Sequence, residues 1–535
     1  MVLPFDDRSP DCTAANESME PIASGPGLTT TVAVWLLMAV SVACAAPAQR
    51  MDLVIEGATV IDPEARAVLT AHSIAVRRGR IHSVEPSRAH SLTARQTIDA
   101  TGTWIMPGLL DMHVHLTKKE IRAHPDLTLQ LLLANGITGV RDMAGDCWEP
   151  RGATALCRDD LRRLARRIDG GKVNGPRLLA LSSAPVHGVW ERDRLPDGAA
   201  PWQAPETADE ARRLVRYLAR RRVDLVKIYN TVPRDTYFAL AAAAGARGLE
   251  VSGHLPLGVS VVEASDAGHR TLEHARDLPI ACSPYSAEYR NIMHLVIEGE
   301  SGPDPPDAGE RMTATLDGYD EGLCRGVLRR LEANGTHLVP SHGTRELDAR
   351  GGEAEYRDDA RMRYVAPALV DDWNEELDPT AEAAPRFGEL YTRLYELGIR
   401  ITGMAIEEGV SVMVGTDAND TMIFPGFAIH DELERFALGG VAPMEILRAA
   451  TTVPAGYLGR ADLGGIGPGK LADLVVLRAN PLADISNSRK IEAVVVGGHV
   501  YNRGDLDAML DDVERRVADL RRAMIGDSPN QKPEA

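Results

Sequence analysis

His113 and His115 stand two residues apart at the end of an apolar run, Ile105-Met-Pro-Gly-Leu-Leu-Asp-Met-His-Val-His115. On a β-strand alternate side chains share a face, so both imidazoles point the same way. Two neutral imidazoles about 7 Å apart along a strand can converge on one cation. With 15 histidines in 535 residues such a pair also arises by chance, so its partners must come from elsewhere in the chain. Four more metal-competent side chains close short apolar runs: Lys227 in Asp224-Leu-Val-Lys-Ile-Tyr229, His254 in Val251-Ser-Gly-His, His274 in Arg270-Thr-Leu-Glu-His, and Asp417 in Val412-Met-Val-Gly-Thr-Asp. Singly they read as a solvated lysine, two loop histidines and a helix N-cap. Jointly, six such groups at four or five strand ends make one polar site, and buried charge at that density needs a cation to be tolerable.

The elements that would position them alternate. Strand candidates are Leu109–His115, Gly139–Met143, Leu178–Ser182, Leu225–Tyr229, Val251–His254, Thr271–His274, Leu338–Ser341 and Val412–Thr416. Helical stretches such as Leu127–Ala134, Ala208–Arg221, Arg234–Ala246 and Met404–Glu408 fall between them. Eight such units predict an α/β fold, a (β/α)8 TIM barrel with its site at the C-terminal strand ends. Short β-rich runs at 51–103 recur at 472–500, and neither set buries a core alone. Both ends of the chain are therefore expected to form a flanking β-sandwich, 50–106 plus 463–503, around a barrel of 107–462. Residues 504–535 read as a C-terminal helix and a disordered tail. The polar segments Ser283–Asp320 and Arg345–Pro385 read as irregular lids or substrate loops. The Arg-rich runs Arg162–Arg167 and Arg212–Arg222 have helical spacing and read as solvated helix faces.

A net charge of −18 argues against nucleic acid or an anionic membrane surface as partner. The apolar stretch Val32 to Ala46 is too short to span a bilayer and suits a signal peptide within a 1–49 leader, which predicts an exported, periplasmic or extracellular protein. Ala43-Cys44-Ala45 offers cleavage, and Cys44 a site for a lipid anchor in place of a membrane span. The acidic segment ahead of it fits a leader poorly, and a start at Met19 would shorten it. Outside the leader lie Cys147, Cys157, Cys282 and Cys324, which allow three pairings; the short Cys147–Cys157 loop is the expected one. The oligomeric state stays open, a homo-oligomer included.

The chain resembles the amidohydrolase superfamily in its binuclear-metal branch. The resemblance rests on Pro107-Gly-Leu-Leu-Asp-Met-His-Val-His115, Gly136-Ile-Thr-Gly-Val-Arg-Asp142, Val226-Lys-Ile-Tyr229, Ser252-Gly-His-Leu-Pro256, Leu272-Glu-His274, Gly415-Thr-Asp417 and the closing stretch 446–474. Within it, the chain is most similar to prolidase-like (Xaa-Pro) and carboxypeptidase-like dipeptidases. The resemblance implies two divalent metal ions, with Zn2+ suiting the N/O ligands and Mn2+ or Co2+ allowed. His113, His115 and Asp417 would hold one, His254 and His274 the other, and Lys227, carboxylated by CO2, would bridge them. Asp417 would also be catalytic, shuttling a proton from a metal-bridging hydroxide to the leaving amine. Tyr229 and His342 are candidates for substrate contact, with packing an equal reading.

The implied reaction is cleavage of an amide C–N bond in a small-molecule or dipeptide substrate, or in N-acyl amino acids. A phosphotriesterase-like or lactonase-like hydrolase would use the same ligands. A mononuclear deaminase would want a carboxylate after the fifth-strand histidine, but His254 is followed by Leu255-Pro256-Leu257. A metal-free scaffold is disfavoured because all six ligands are present. Arg141 and Arg276 could grip a substrate carboxylate or form ordinary salt bridges.

Overall fold

Strand-forming residues from both ends of the chain pair into one sheet. The computed structural model describes residues 50–526 apart from 90–91, 117, 119, 122, 149–155, 189, 191, 193–194, 196–199 and 275. The leader, Cys44 and the tail after Gly526 lie outside the described residues. At the N-terminal side run β1 (Met51–Asp62), β2 (Ala67–Arg77), β3 (Arg80–Pro86), β4 (Ala94–Asp99) and β5 (Trp104–Pro107). The central strands are β6 (Leu109–Val114), β7 (Ile137–Asp142), β8 (Arg177–Leu181), β9 (Leu225–Ile228), β10 (Glu250–Gly253), β11 (His269–Glu273) and β12 (His337–Val339). Three more, β13 (Leu474–Leu477), β14 (Ile491–Val496) and β15 (His499–Asn502), return to the first set. Ladder pairing gathers both ends into one mixed eight-stranded sheet, β15-β14-β13-β5-β1-β2-β3 with β4 beside β1, where the sequence reading expected two layers. Leu53, Ile55, Ile74, Val76, Leu474 and Val476 pack there into a core of their own.

The central strands are parallel and buried along nearly their whole length, as expected when both faces are covered. They form a three-stranded sheet, β6-β7-β8, and a four-stranded one, β12-β11-β10-β9. Isolated parallel bridges Ser182–Leu225 and Val186–Ile228 join β8 and its continuation to β9. The eighth expected strand, 412–416, does not form a ladder. Single parallel bridges, Leu338–Val412 and Val114–Ala418, tie this segment to β12 and β6. Its regular pairing is displaced by a side chain, because the Asp111 carboxylate accepts from Thr416 N (3.0 Å) and Thr416 Oγ1 (2.7 Å). Backbone bonds Met112 N to Val414 O (3.0 Å) and Asp417 N to His113 O (2.8 Å) still hold it against β6. That placement sets Asp417 beside His113.

Helices pack where apolar residues recur at helical spacing. Ala208–Arg221 buries Ala211, Leu214, Val215 and Leu218 beneath its arginines, and Thr207 caps it by accepting from Glu210 N. The two segments expected to be irregular are largely helical. Tyr285–Glu298 buries Tyr289, Ile292 and Met293. Ala308–Asp317 opens with a reciprocal Asp307–Glu310 capping box. A 41-residue helix, Pro367–Glu407, begins with Leu369, Trp373 and Leu377 buried four residues apart. Its polar composition made the segment read as a loop, yet even Pro379 and Pro385 sit inside the helix. The C-terminal helix Arg503–Gly526 packs Val513 and Val517 on Leu127 and Leu131. Among the described residues no helix is long and apolar enough to cross a membrane.

Two disulfides are formed: the expected Cys147–Cys157 and also Cys282–Cys324, 42 residues apart. Cross-linking a loop of that length stabilises a fold by about 2–4 kcal/mol in the chain-entropy picture. A Cys282→Ser/Cys324→Ser double variant should therefore lose about that much in urea unfolding at neutral pH. Equal unfolding midpoints for variant and oxidised wild type would contradict this.

Candidate metal centre

Four imidazoles, one amine and one carboxylate come together at the C-terminal ends of the parallel strands. His113 lies near the end of β6 and His115 just beyond it, with ring centroids 5.2 Å apart. The His113 and His274 rings are 4.9 Å apart, and His274 and His254 4.8 Å. Asp417 reaches into this ring of imidazoles. Its Oδ1 is 2.7 Å from His115 Nε2 and 3.2 Å from His113 Nε2, and its Oδ2 is 3.5 Å from His274 Nδ1. Two backbones turn left-handed to aim these groups, His274 at φ 62° and Asp417 at φ 70°. Adjacent strand residues normally face opposite sides, so the turn at His274 lets it join Glu273 on one site. Gly253, at φ 122°, holds the chain before His254, and a Cβ there would lie 2.5 Å from Ile228 O.

Lys227, on β9, is 1% exposed, and its Nζ lies 3.3 Å from His113 Nε2. No carboxylate forms an ion pair with it among the described residues. Burial pushes its pKa down, against the pull of Glu273 and Asp417. Burial also lowers His113 to about 4, and holds His254 and His274 well below the usual imidazole range, so these rings are neutral. For Asp417 burial works toward protonation, but His113, His115 and His274 outweigh it and keep the carboxylate ionised. Neutral imidazoles and an ionised carboxylate are the protonation states a cation requires.

The donor set fits a metal ion. One ligand atom each from His113, His274 and Asp417 lie within 4.8 Å of one another. Asp417 Oδ1 and His274 Nδ1 are buried without an aligned hydrogen bond, although imidazole nitrogens approach Oδ1 at contact distance. Lone pairs facing a common point are what a cation would satisfy.

Glu273 was not singled out in the sequence, yet it organises the site. It is 3% exposed. It accepts from Arg141 Nη2 at 2.7 Å and sits 2.8 Å from His113 Nδ1, with Thr271 Oγ1 also on it. Burial favours the protonated acid, but Arg141 first and then His113 hold Glu273 well below the ordinary carboxylate range. With Nδ1–H donated to Glu273, the lone pair of His113 Nε2 faces inward. Arg141 is spent on this pair and on Met112 O (2.6 Å), so it is a buried structural cation and not a substrate grip. The available signal was a pair of opposite charges, Arg141 and Glu273, in two buried strands, β7 and β11, where neither could remain unpartnered.

The structure sets Tyr229 and His342 in different surroundings. Tyr229 lies between His187 and His254, with tilted rings and centroids 4.4 and 4.3 Å away, at the edge of the imidazole cluster. His342 lies apart from those rings, with Nε2 2.9 Å from Thr402 Oγ1 and its ring edge-on to Phe436 at 6.2 Å. His254, His274 and Glu273 line a small cleft together with Asn230, Leu257 and Arg276. The last three also line an adjoining cavity of about 480 Å³. Arg276 has water-accessible surface inside that concavity although protein surrounds it, and the like charge of Arg345 foremost depresses its pKa.

Comparison with known proteins gives the same architecture. A profile described as "Amidohydrolase family" matches residues 104–501. A bottromycin amidohydrolase superposes with a TM-score of 0.63 at 21% identity, covering 87% of this chain and 90% of its own. A Xaa-Pro dipeptidase with bound methionine in its active site gives 0.60 at 20% identity, covering 84% and 99%. At these identities the likeness is one of fold. A dihydroorotase of Trichlorobacter lovleyi is 35% identical over 92 residues, 17% of this chain and 21% of that protein. The chain thus spans about a fifth of that curated relative's length.

The Arg141–Glu273 pair generates a test. Arg141→Met leaves a carboxylate buried without its cation and should cost about 3–5 kcal/mol at pH 7. Because the folded pKa of Glu273 is depressed, its contribution is present above the unfolded value of 4.5 and is lost as pH falls below it. The gap between variant and wild type, measured by urea unfolding, should narrow below about pH 4.5. A gap that is absent at pH 7, or widens in acid, would refute the pairing.

Proposed function

The chain belongs to the amidohydrolase family, and from that premise we propose that it is a metal-dependent hydrolase cleaving an amide C–N bond in dipeptides or N-acyl amino acids. The observation that carries this reading is the meeting of His113, His115, His254 and His274 with Asp417 and a buried lysine that pairs with no carboxylate among the described residues. We read β6 to β12 with segment 412–418 as the eight staves of a (β/α)8 barrel spanning 107–462. The end sheet, wrapped on its own core, would be the flanking sandwich of 50–106 and 463–503. Two disulfides support export to an oxidising compartment.

His113, His115 and Asp417 would hold one divalent cation and His254 and His274 a second, with Lys227 between them. Burial disfavours the Lys227 ammonium, and the amine left when it gives up its proton can add CO2 to give a carbamate with release of one proton. That converts the lysine into an anionic oxygen ligand, in keeping with its lack of an ion pair among the described residues. Bound divalent cations would polarise the scissile carbonyl and bring the pKa of a water toward neutrality. Asp417, ionised and crowded by imidazoles, is placed to accept a proton from the attacking water and pass it to the leaving nitrogen. Glu273 keeps the inward lone pair on His113 throughout. Tyr229, whose hydroxyl burial holds protonated, can donate a hydrogen bond to the substrate at the cluster's edge.

With metal-loaded protein and a panel of Xaa-Pro dipeptides and N-acyl amino acids, turnover should require the intact cluster. Lys227→Ala should abolish it, and Asp417→Asn should lower the rate on the order of 10²–10⁴-fold. Full activity in Lys227→Ala would remove the carbamate. Turnover of phosphotriesters or lactones, with none on amides, would move the reading to the other hydrolase class.

A further inference from the structure

The cavity beside the cluster carries the opposite charge to the protein as a whole. Three guanidinium groups line it, Arg276, Arg311 and Arg345, against two carboxylates, Asp277 and Asp348. Both acids are already taken, Asp277 by Arg290 (2.6 Å) and Asp348 by Arg345. Arg276 and Arg311 make no side-chain hydrogen bond or ion pair among the described residues, so two guanidinium groups face the cavity without a directly paired carboxylate. In a chain of net charge −18 this is a local reversal of potential. Arg276 belongs both to this cavity and to the small cleft that holds His254 and His274, so it stands at the neck between them. Beyond the neck the wall turns apolar and aromatic, with Ile280, Tyr289, Met293 and Met312.

Building on the hydrolase reading, we propose that this cavity selects the amino-acid half of the substrate: a carboxylate docks on Arg276 and a hydrophobic or aromatic side chain lies on the wall of Tyr289, Met293 and Met312. Arg311 supplies further positive potential at the carboxylate. A planar guanidinium takes a carboxylate through two parallel hydrogen bonds, which fixes orientation as well as charge. An anchored carboxylate at the neck would leave the adjacent amide directed toward the imidazole cluster. A neutral ligand would leave Arg276 beside Arg345 and Arg311, offset only through space by Asp348 and Asp277, each already paired with another arginine.

The test separates this pocket from the reaction. Binding of 3-phenylpropionate and of its neutral analogue 3-phenylpropan-1-ol, neither of which has an amide, is measured by calorimetry on the metal-loaded protein. Wild type should prefer the carboxylate by roughly 10- to 100-fold. Arg276→Gln should erase most of that preference and Arg276→Lys should keep part of it. Arg311→Gln should weaken it, and each variant's melting curve should confirm that it folds. If the preference persists undiminished in Arg276→Gln and Arg311→Gln, the carboxylate is held elsewhere and the proposal falls. Absence of amide hydrolysis with the Arg276-dependent preference intact would instead sink the hydrolase reading and leave the pocket standing.

Discussion

A single buried carboxylate, Glu273, ties the site to the frame of the protein. It joins Arg141 on β7 to His113 on β6, with contacts of 2.7 and 2.8 Å and almost no exposure to water. Removing these charges from water is expensive, and only mutual pairing makes it tolerable. The arrangement fixes which nitrogen of His113 carries its proton, and so where its lone pair points. Asp111 acts similarly one strand end away: its carboxylate bonds Thr416 and fastens the segment bearing Asp417 to the strand bearing His113. Burial raises Asp111 to about 7 despite three hydrogen bonds, a measure of how dry this end of the strands is.

The same dryness unifies the chemistry. It pushes the pKa of Lys227 down and holds His113, His254 and His274 neutral, while neighbouring imidazoles keep Asp417 ionised. A cluster of neutral nitrogens around one carboxylate has lone pairs in excess of hydrogen-bond donors. Local backbone cost is accepted to build it, since His274 and Asp417 both sit in the left-handed region. Strain of this kind persists where surrounding structure over-determines it, here through the bonds His274 N to Val339 O and Asp417 N to His113 O, each 2.8 Å.

Much of this was legible in the chain. Apolar runs ending in chemistry-bearing residues marked seven of the eight expected parallel elements to within a residue or two, because parallel strands covered on both faces are rich in apolar residues. The eighth run looked equally regular, and the Asp111 side chain, contributed from a distant position, displaces its ladder. The helices at 285–298 and 308–317 were obscured by charged residues on exposed faces, although Asp307 and Glu310 already spelled a capping box. Polar composition over 345–385 concealed a helix whose buried register of Leu369, Trp373 and Leu377 carries it. Glu273 stayed hidden because its function is to pair with Arg141, and sequence separation conceals such pairing. For Arg141 the sequence left a substrate grip and an ordinary salt bridge open, and its burial against Glu273 decides for the salt bridge.

The central claim is that these side chains are assembled to hold cations, and the most direct measurement is a count of them. After exhaustive dialysis against metal-free buffer, elemental analysis of the folded wild-type protein should find two transition-metal ions per chain. A correctly folded chain that retains none, and takes up none on titration with Zn2+, Mn2+ or Co2+, would contradict the account.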